Sequence, residues 1–252
     1  MKVSACVMTL NEEKYVWGLL DGLLDYVDEI VVLDGGSTDR TVDVCGEFTD
    51  KIVVRPSQGW PEPDRDYCMR MARNRWVLFM DADERASPHL LNALDILTNR
   101  GYASGFWIPR RNYYAPYKYY RHIHYPDFQL RLFDRTVAKW PSGLHASPEI
   151  RGDCTYLYEP YHIRHLRPIY SDPGKYRRWV EIQAGSRPIH FPPVVYRAMA
   201  PLRYAATLSR DLAGGCLLDG PRGLFAAHNH ALYGFWEYLL IGDRTDKNIL
   251  VK

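Results

Sequence analysis

Two acidic residues, Asp81 and Asp83, follow directly after the apolar run WVLFM at residues 76–80. Two carboxylates held this close together repel each other, so they are costly at the end of a buried strand unless a cation lies near them. Carboxylate oxygens are the hard ligands that Mg²⁺ and Mn²⁺ take, usually together with phosphates of a substrate. Acidic residues are also favoured at a helix N-terminus, and Ser87-Pro88 indicates a helix start just downstream. On these residues alone, a metal site and a helix cap both stay open.

A second group of polar residues lies in the segment VVLDGGSTDRT at residues 31–41. Asp34 ends a short apolar run, where its carboxylate can accept a hydrogen bond from a nucleobase N–H. The two glycines after it allow a ligand to approach the backbone closely. The competing interpretation is a simple turn between a strand and a helix, in which Ser37, Thr38 or Asp39 caps the helix. The segment by itself favours neither interpretation.

Histidines and tyrosines concentrate in the middle of the chain. Five of the nine histidines fall in one stretch, and they are His122, His124, His145, His162 and His165. A single histidine is usually a packed or surface residue, so metal ligation needs further support. Six tyrosines between residues 113 and 125 have flat rings that suit the apolar faces of sugars, but they suit a small packed lobe or a dimer contact equally well.

Alternating strand and helix patterns must position these residues. Short apolar runs typical of buried strands occur at residues 3–9, 30–33, 51–55 and 76–80. Segments with helical spacing separate them, and this alternation predicts an α/β fold with a mostly parallel sheet flanked by helices. Ligands bind beyond the carboxyl ends of parallel strands, so the polar groups that end these runs should converge on one site. A proline-containing break at 188–193 precedes a predicted small C-terminal helical extension.

Composition narrows the possible functions. A formal net charge of +2 gives little electrostatic reason to expect nucleic-acid binding. Five dispersed cysteines without a C-x-x-C pair argue against a disulfide scaffold and a zinc cage. The N-terminal apolar run is too short for a signal peptide and no membrane-spanning run is found, so a cytoplasmic location is expected. Arginines and apolar stretches between residues 194 and 240 would suit peripheral contact with the inner face of the plasma membrane, or else a buried helical pair.

Several motifs together resemble the family 2 glycosyltransferases, which have the GT-A fold. The three N-terminal motifs, in the family's order and spacing, are TLNEE at 9–13, VVLDGGSTDRT at 31–41 and WVLFMDADE at 76–84. Four downstream motifs resemble the subgroup related to lipopolysaccharide-core transferases: PDFQLRLF at 126–133, GLHASPE at 143–149, YHIRHL at 161–166 and LLDGPRGL at 217–224. The resemblance covers about residues 2 to 240.

The resemblance implies roles for individual residues. Nucleotide-sugar binding is implied for Thr9, Asn11, Glu12, Asp34, Arg65, Asp81 and Arg131. Metal binding is implied for Asp83, the second acid of the D-x-D motif, together with His145, and His165 is the alternative ligand. The expected metal is Mg²⁺ or Mn²⁺. The predicted domains are a catalytic domain at 1–190, with a nucleotide-binding half at 1–104 and an acceptor half at 105–190, and a helical extension at 191–252.

The activity that the resemblance implies is inverting transfer of a sugar from a nucleotide diphosphate sugar, with a UDP-sugar as first choice, to a hydroxyl of a growing cell-surface saccharide or glycolipid. The attacking hydroxyl needs a base within about 3 Å. Asp127 is the expected base and Glu149 the alternative, although Pro126 stands where relatives often have glutamate. Asp127 could instead be a loop carboxylate paired with Arg131. A metal-dependent nucleotidyltransferase and a non-catalytic nucleotide-sugar or glycan-binding protein are the alternative functions.

Overall fold

The computed structural model describes residues 2–57, 61–115, 118–143, 146–167 and 173–244. The chain divides into two compact units. The first comprises Met1–Asn112 and Tyr125–Arg167, and the second comprises Tyr113–His124 and Pro168–Lys252. This division differs from the predicted boundary between residues 190 and 191, because a loop segment and an additional helix belong to the second unit.

One mixed sheet forms the frame of the first unit. The described strands, all in this sheet except β9 and β10, are β1 (Val3–Thr9), β2 (Glu29–Asp34), β3 (Ile52–Val54), β4 (Trp76–Asp81), β5 (Glu84–Ala86), β6 (Gly105–Ala115, continuing into the second unit), β7 (Lys118–Tyr119, in the second unit), β8 (Asp127–Asp134), β9 (Ala138–Lys139), β10 (Glu149–Ile150), β11 (Cys154–Tyr156) and β12 (Ile163–His165). The main path runs β3-β2-β1-β4-β8-β6-β12-β5, while β9 and β10 form a separate pair. β1 pairs in parallel with both β2 and β4, and β8 runs antiparallel to both β4 and β6. The predicted α/β fold with a mostly parallel sheet is therefore confirmed.

Helices cover this sheet where apolar spacing predicts them. They are α1 (Glu13–Leu23), α2 (Thr41–Gly46), α3 (Glu62–Met71) and α4 (Pro88–Asn99). α1 buries its stripe of Val16, Leu19, Leu20 and Leu23 against the central strands. α4 begins after Ser87, whose Oγ accepts a hydrogen bond from the N–H of Leu90 at 3.2 Å. Ser87 therefore supplies the helix cap, and Asp81 and Asp83 have other partners.

The second unit is mainly helical. Its helices are α5 (Pro173–Ser186), α6 (Pro193–Ala213) and α7 (Gly220–Gly242), with a 3-10 helix at Cys216–Asp219 between the last two. A Cβ at Gly223 would lie 1.9 Å from the carbonyl oxygen of Cys216, so the start of α7 packs against this turn as only glycine allows. Among the described residues, no helix combines the length and apolar character needed to cross a membrane.

The loop segment 118–124 is anchored to the same turn. The carboxylate of Asp219 accepts hydrogen bonds from the backbone N–H groups of Arg121, His122 and Ile123 at 2.9–3.0 Å. Ile123 and Tyr120 are buried in one cluster with the start of α7. Tyr120, at least, is therefore a packing residue of this unit, whereas residue 117 lies outside the described residues.

Candidate active site

The carboxyl ends of β1 and β2 are joined by polar contacts. Thr9 and Asp34 are register partners at these ends. The fully buried carboxylate of Asp34 accepts hydrogen bonds from Thr9 Oγ1 (2.7 Å), Ser37 Oγ (2.6 Å), and the backbone N–H groups of Gly36 (2.9 Å) and Ser37 (2.7 Å). Asp34 therefore holds the turn after β2 together through its hydrogen bonds. Its predicted contact with a nucleobase stays a prediction.

The loop after β1 is tied to this turn by a second set of hydrogen bonds. Asn11, in the left-handed region at φ 54°, donates its N–H to Ser37 Oγ at 2.8 Å and accepts from the N–H of Thr38 at 2.8 Å. The N–H of Glu12 donates to Thr41 Oγ1 at 2.7 Å. The motifs at 9–13 and 31–41 thus form one rim at the carboxyl edge of the sheet.

Asp81 is held between two arginines. Its Oδ1 lies 3.0 Å from Arg65 Nη2, and its Oδ2 lies 2.6 Å from Arg131 Nη2. Burial opposes the charged form, but Arg131 and Arg65 outweigh it and hold the pKa of Asp81 well below its usual range. The guanidinium of Arg65 lies 5.1 Å from the ring centroids of Phe79 and Trp140, which fix its position.

Glu84, fully buried next to Asp81, extends this cluster. Its Oε2 accepts from the N–H of Asp81 at 3.1 Å, and its Oε1 accepts from Arg110 Nη1 and Arg131 Nη2, each at 2.9 Å. Arg110 also contacts Asp127, with its Nη2 2.7 Å from Asp127 Oδ2. The ion pairs therefore run without a break from Asp81 to Asp127.

Asp83 faces the other side of the motif, toward β12 and the residues that follow it. Its Oδ2 lies 2.9 Å from Arg167 Nε and 3.5 Å from His165 Nε2. Burial opposes the charge on Asp83, but the interactions with His165 and Arg167 lower its pKa to about 2. Arg167 also pairs with Glu12, which connects this side to the loop after β1.

Asn112 connects His165 to Asp127. Its Nδ2 donates to Asp127 Oδ2 at 3.0 Å, and its Oδ1 lies 3.0 Å from His165 Nδ1. Asp127 can only accept when it is ionised, so the amide must present its NH₂ to Asp127 and its oxygen to His165. The oxygen requires a proton on Nδ1, so Nε2 is the ring nitrogen that faces Asp83.

Asp127 is a strongly bonded carboxylate. Besides Arg110 and Asn112, it accepts from Gln129 Nε2 at 2.7 Å. Burial raises its pKa, but Arg110, Asn112 and Gln129 together bring the pKa below its ordinary value. Its ion-pair partner is thus Arg110, whereas Arg131 pairs with Asp81 and Glu84.

Seven of the twelve predicted site residues lie in one network, and three others, Thr9, Asn11 and Asp34, lie on the rim formed by the motifs at 9–13 and 31–41. The network, as named from here on, contains Glu12, Arg65, Asp81, Asp83, Glu84, Arg110, Asn112, Asp127, Arg131, His165 and Arg167. Glu149 lies exposed in β10, and none of the hydrogen bonds or ion pairs among the described network residues involves it. His145 lies outside the described residues.

Sequence reasoning missed four members of the network: Glu84, Arg110, Asn112 and Arg167. A signal existed for Arg110, since it lies on the strand opposite the predicted base and is the register partner of Asp127. Asn112 and His165 are also register partners, but this pairing joins strands more than fifty residues apart and leaves no local pattern.

The donor atoms near Asp83 suit a divalent cation in part. Asp83 Oδ2 and His165 Nε2 are a hard oxygen and an imidazole nitrogen close enough to share one ion. Within the described ranges, no group of three or more His, Cys, Asp or Glu side chains is placed to hold a metal. A cation at this pair would take its remaining ligands from water or a bound diphosphate, as Mg²⁺ commonly does.

Curated relatives match part of the chain. The LpsC glycosyltransferase of lipopolysaccharide core biosynthesis from Rhizobium meliloti is 30% identical over 125 residues, covering 47% of this chain and 46% of the relative. TarS of Staphylococcus aureus, a poly(ribitol-phosphate) beta-N-acetylglucosaminyltransferase, is 35% identical over 101 residues, covering 36% of this chain and 18% of TarS. An uncharacterized glycosyltransferase of Rickettsia bellii is 30% identical over 96 residues, covering 38% of this chain and 32% of the relative. The chain thus spans less than half the length of each of these relatives.

The fold and the family are shown by two further comparisons. The crystal structure of Staphylococcus aureus TarS in complex with UDP superposes with a TM-score of 0.52 at 16% identity, covering 96% of this chain and 90% of that chain. The predicted GT-A fold is therefore confirmed. The profile of glycosyl transferase family 2 matches residues 4–155, more than half of the chain. With its motifs at the carboxyl edge of a GT-A sheet, the chain belongs to glycosyl transferase family 2.

Proposed function

We propose that this glycosyltransferase moves a sugar from a nucleotide diphosphate sugar, with a UDP-sugar as first choice, to a hydroxyl of a saccharide or glycolipid acceptor, with inversion at the anomeric carbon. A Mg²⁺ or Mn²⁺ ion is its proposed cofactor. The observation that carries the proposal is the network, which joins the D-x-D acids to the candidate base Asp127 through arginines and one buried amide.

The charge of the network supports a requirement for a cation. Five carboxylates, from Glu12, Asp81, Asp83, Glu84 and Asp127, face four guanidinium groups, from Arg65, Arg110, Arg131 and Arg167. The balance is one negative charge when His165 is neutral, so a nucleotide diphosphate would add further negative charge to an already negative site. A divalent cation would reverse that balance, since it supplies two positive charges where the diphosphate binds.

The proposed chemical step is a single displacement. The acceptor hydroxyl oxygen forms a bond to the anomeric carbon, while the bond from that carbon to the diphosphate oxygen breaks and its electron pair leaves with the diphosphate. The hydroxyl proton passes to a carboxylate oxygen of Asp127. Its lowered pKa keeps Asp127 ionised at neutral pH, and its contacts with Arg110 and Asn112 fix its orientation.

Asp83 and His165 are the proposed cation ligands. When bound, the cation would screen the negative charge that develops on the departing diphosphate. Asn112 keeps the His165 proton on Nδ1, and the low pKa of Asp83 keeps its carboxylate charged at neutral pH. The Asp83 carboxylate can therefore act as a ligand as it stands, and His165 Nε2 can ligate when it carries no proton.

The remaining predicted residues are proposed to bind the donor. Arg65 and Arg131, which pair with Asp81, would supply positive charge for the diphosphate. The rim formed by the motifs at 9–13 and 31–41 is the proposed nucleoside contact, in which Asp34 acts through the turn that it organises.

The names of the relatives support the substrate classes. The neighbouring TarS structures contain UDP and UDP-GlcNAc, and the names of TarS and LpsC refer to polymers or cores of the cell surface. A UDP-sugar donor and a cell-surface saccharide acceptor are therefore the first substrates to test. A cytoplasmic location, where such donors are made, is part of the proposal.

The direct test is a donor screen in the presence of Mn²⁺ that measures release of free nucleoside diphosphate. The proposal expects release that depends on the metal and on one sugar donor. A nucleotidyltransferase would release pyrophosphate instead, and this product would overturn the proposal.

An Asp127→Asn substitution separates catalysis from binding. The amide keeps the size of the side chain but cannot take up the proton, so turnover should fall by about 100-fold or more, while donor affinity measured by calorimetry changes little. A Gln129→Ala variant, which removes one hydrogen bond to Asp127 without removing the base or adding a charge, is the control for local disturbance. A non-catalytic binding protein predicts donor binding without turnover in every variant, including the unmodified chain.

An Asp83→Ala substitution tests the cation site. Loss of the charged ligand should abolish the part of donor binding that depends on Mn²⁺, as measured by calorimetric titration with and without a chelator. The exposed residue Asp25 provides a control substitution to alanine. Unchanged Mn²⁺ dependence in Asp83→Ala would contradict the assigned site.

A further inference from the structure

Helix α6 carries apolar residues on two opposite faces. Tyr196, Ala200 and Thr207 are buried on one face. The opposite face is exposed along the helix, and it consists of Val194, Ala198, Pro201, Leu202, Ala205, Ser209 and Leu212. At 3.6 residues per turn these seven positions fall within roughly 100° of arc, so they form one continuous stripe. We call it the α6 stripe.

The α6 stripe is unusually apolar for an exposed surface. Its large members are well exposed, with Val194 at 69% and Leu202 at 67%, and Ser209 is its single polar member. Exposed apolar side chains continue along the chain at Leu217 and Leu218 in the following 3-10 helix. A contiguous apolar surface of this kind marks a contact with a membrane or another protein.

The charges of α6 and α7 favour an anionic partner. These helices expose Arg197, Arg210 and Arg222, whereas their two acids, Asp211 and Glu237, are not exposed. Asp211 is held by His230 at 2.8 Å, and Glu237 by Arg187 at 2.6 Å. Of the exposed arginines, Arg197 pairs with Asp243 beyond α7, and Arg210 Nη2 lies 3.3 Å from Asp211 Oδ1. None of the ion pairs between described residues involves Arg222, which therefore carries most of the uncompensated positive charge.

A second copy of the chain fits this surface less well. In a symmetric dimer the same surface of both copies would meet. The exposed arginines of one copy would then face those of the other, and neither α6 nor α7 has an exposed acid to balance them. An anionic bilayer accepts both features at once, because its acyl boundary takes up apolar side chains and its acidic headgroups attract arginines.

We propose that the α6 stripe is a membrane-contact surface, on which α6 lies in the plane of an anionic bilayer with its apolar side chains at the boundary between headgroups and acyl chains. The helix is roughly 31 Å long over its 21 residues, which is ample for an interfacial contact. This inference concerns the second unit alone, so it does not depend on which sugar is transferred.

Co-sedimentation with vesicles tests the proposal. The full chain should sediment with vesicles of phosphatidylcholine mixed with phosphatidylglycerol and remain in solution with phosphatidylcholine alone, and raised salt should weaken the binding. The double substitution Val194→Glu with Leu202→Glu should reduce binding at least about tenfold. The matched control is Ile96→Glu, an equally drastic change at a position 53% exposed in α4 of the first unit, which should leave binding unchanged.

A second pair of variants tests the electrostatic part. Arg222→Gln at the start of α7 should weaken binding about fivefold and reduce its salt dependence, whereas Arg70→Gln on α3 should do neither. Circular dichroism and thermal unfolding verify that each variant remains folded. The proposal is overturned if the unmodified chain does not sediment with anionic vesicles at low salt, or if the double variant sediments as well as the unmodified chain. It is also overturned if sedimentation equilibrium shows a dimer that the double variant dissociates while no vesicle binding occurs, since the stripe then belongs to a second copy.

Discussion

At the scale of single residues, Asn112 has a function that only an amide provides. It must donate to one neighbour, Asp127, and accept from the other, His165. A carboxamide offers both kinds of group within one rigid plane, whereas a carboxylate offers only acceptors and an aliphatic side chain offers neither. The orientation of the candidate base and the tautomer of the candidate ligand are therefore set by one buried side chain.

Substitutions of Asn112 should separate these two roles. Asn112→Asp still accepts from His165 Nδ1–H but places a negative charge against Asp127, so turnover should fall about 10- to 100-fold while Mn²⁺ affinity is largely kept. Asn112→Ala removes both contacts, so turnover and Mn²⁺ affinity should both fall by about that factor. Steady-state kinetics and calorimetric titration of Mn²⁺ measure the two effects. Equal Mn²⁺ affinities in the two variants would show that Asn112 does not position His165.

At the scale of elements, Glu29 stabilises the amino-terminal ends of the paired strands β1 and β2. Its buried carboxylate accepts hydrogen bonds from Ser4, Lys51 and the backbone N–H of Arg73. Burial opposes its charge, but the bonds from Lys51, Ser4 and Arg73 outweigh burial and lower the pKa of Glu29 to about 2. The lowered pKa means that the charged carboxylate stabilises the folded chain.

This pKa predicts how the stability depends on pH. The stabilisation is fully present above the ordinary glutamate pKa near 4.5 and is lost as the pH falls toward 2. Glu29→Gln should lower the free energy of unfolding at pH 7 by about 3 kcal/mol and flatten its decline in acid. Denaturant unfolding across this pH range measures the effect, with exposed Glu47→Gln as the control. An unchanged acid dependence in Glu29→Gln would contradict this account.

Helix α7 depends on its close contact with the preceding turn at Cys216. Gly223→Ala would force a methyl group against the carbonyl oxygen of Cys216, so the free energy of unfolding should fall by about 2 kcal/mol or more. Gly185→Ala is a matched control, because Gly185 lies in α5 with no heavy atom within 4 Å of an added Cβ. Alanine there should stabilise slightly, by about 0.5–1 kcal/mol. Thermal unfolding of both variants measures the contrast, and similar melting temperatures would show that the turn can move aside.

Elements stabilised by local patterns were predictable from the sequence, and elements that depend on distant pairing were not. β1, β2 and β4 are buried apolar runs, and α1 and α4 have clear apolar stripes and, for α4, a Ser-Pro start. β5, by contrast, follows the acidic motif directly and has an arginine at its centre, a pattern typical of a loop or a helix start. It forms because it pairs with β12, about eighty residues later. The same pairing brings His165 beside Asp83. The acidic motif at Asp81 and Asp83 was therefore predictable from the sequence, but the residues that contact it were not.

At the scale of the whole molecule, the two units carry different kinds of surface. The first unit contains the GT-A sheet and the network, and the second contains the α6 stripe. The profile of the family ends at residue 155, so the helices of the second unit lie beyond the residues that the profile matches. Differences between relatives in acceptor or in attachment are therefore expected in the second unit.

The ion pair between Arg167 and Asp83 should couple the binding of the cation to the binding of the nucleotide diphosphate. A cation that binds alone must exchange with a guanidinium that already neutralises Asp83. When a diphosphate binds together with the cation, the guanidinium of Arg167 that leaves Asp83 can pair with a phosphate instead. Mn²⁺ and UDP should therefore strengthen each other's binding reciprocally, by a factor of about 5 to 150. Calorimetric titration of Mn²⁺ with and without UDP measures this factor, and independent binding would contradict it.

Such an exchange would make Arg167 an internal substitute for the metal. While Arg167 pairs with Asp83, the protein without nucleotide would attract a lone divalent ion only weakly at this carboxylate. After transfer, return of the guanidinium to Asp83 would compete with the cation and so favour release of the nucleoside diphosphate together with its cation. The same arginine would then favour both the ordered arrival of the ligands and their joint release.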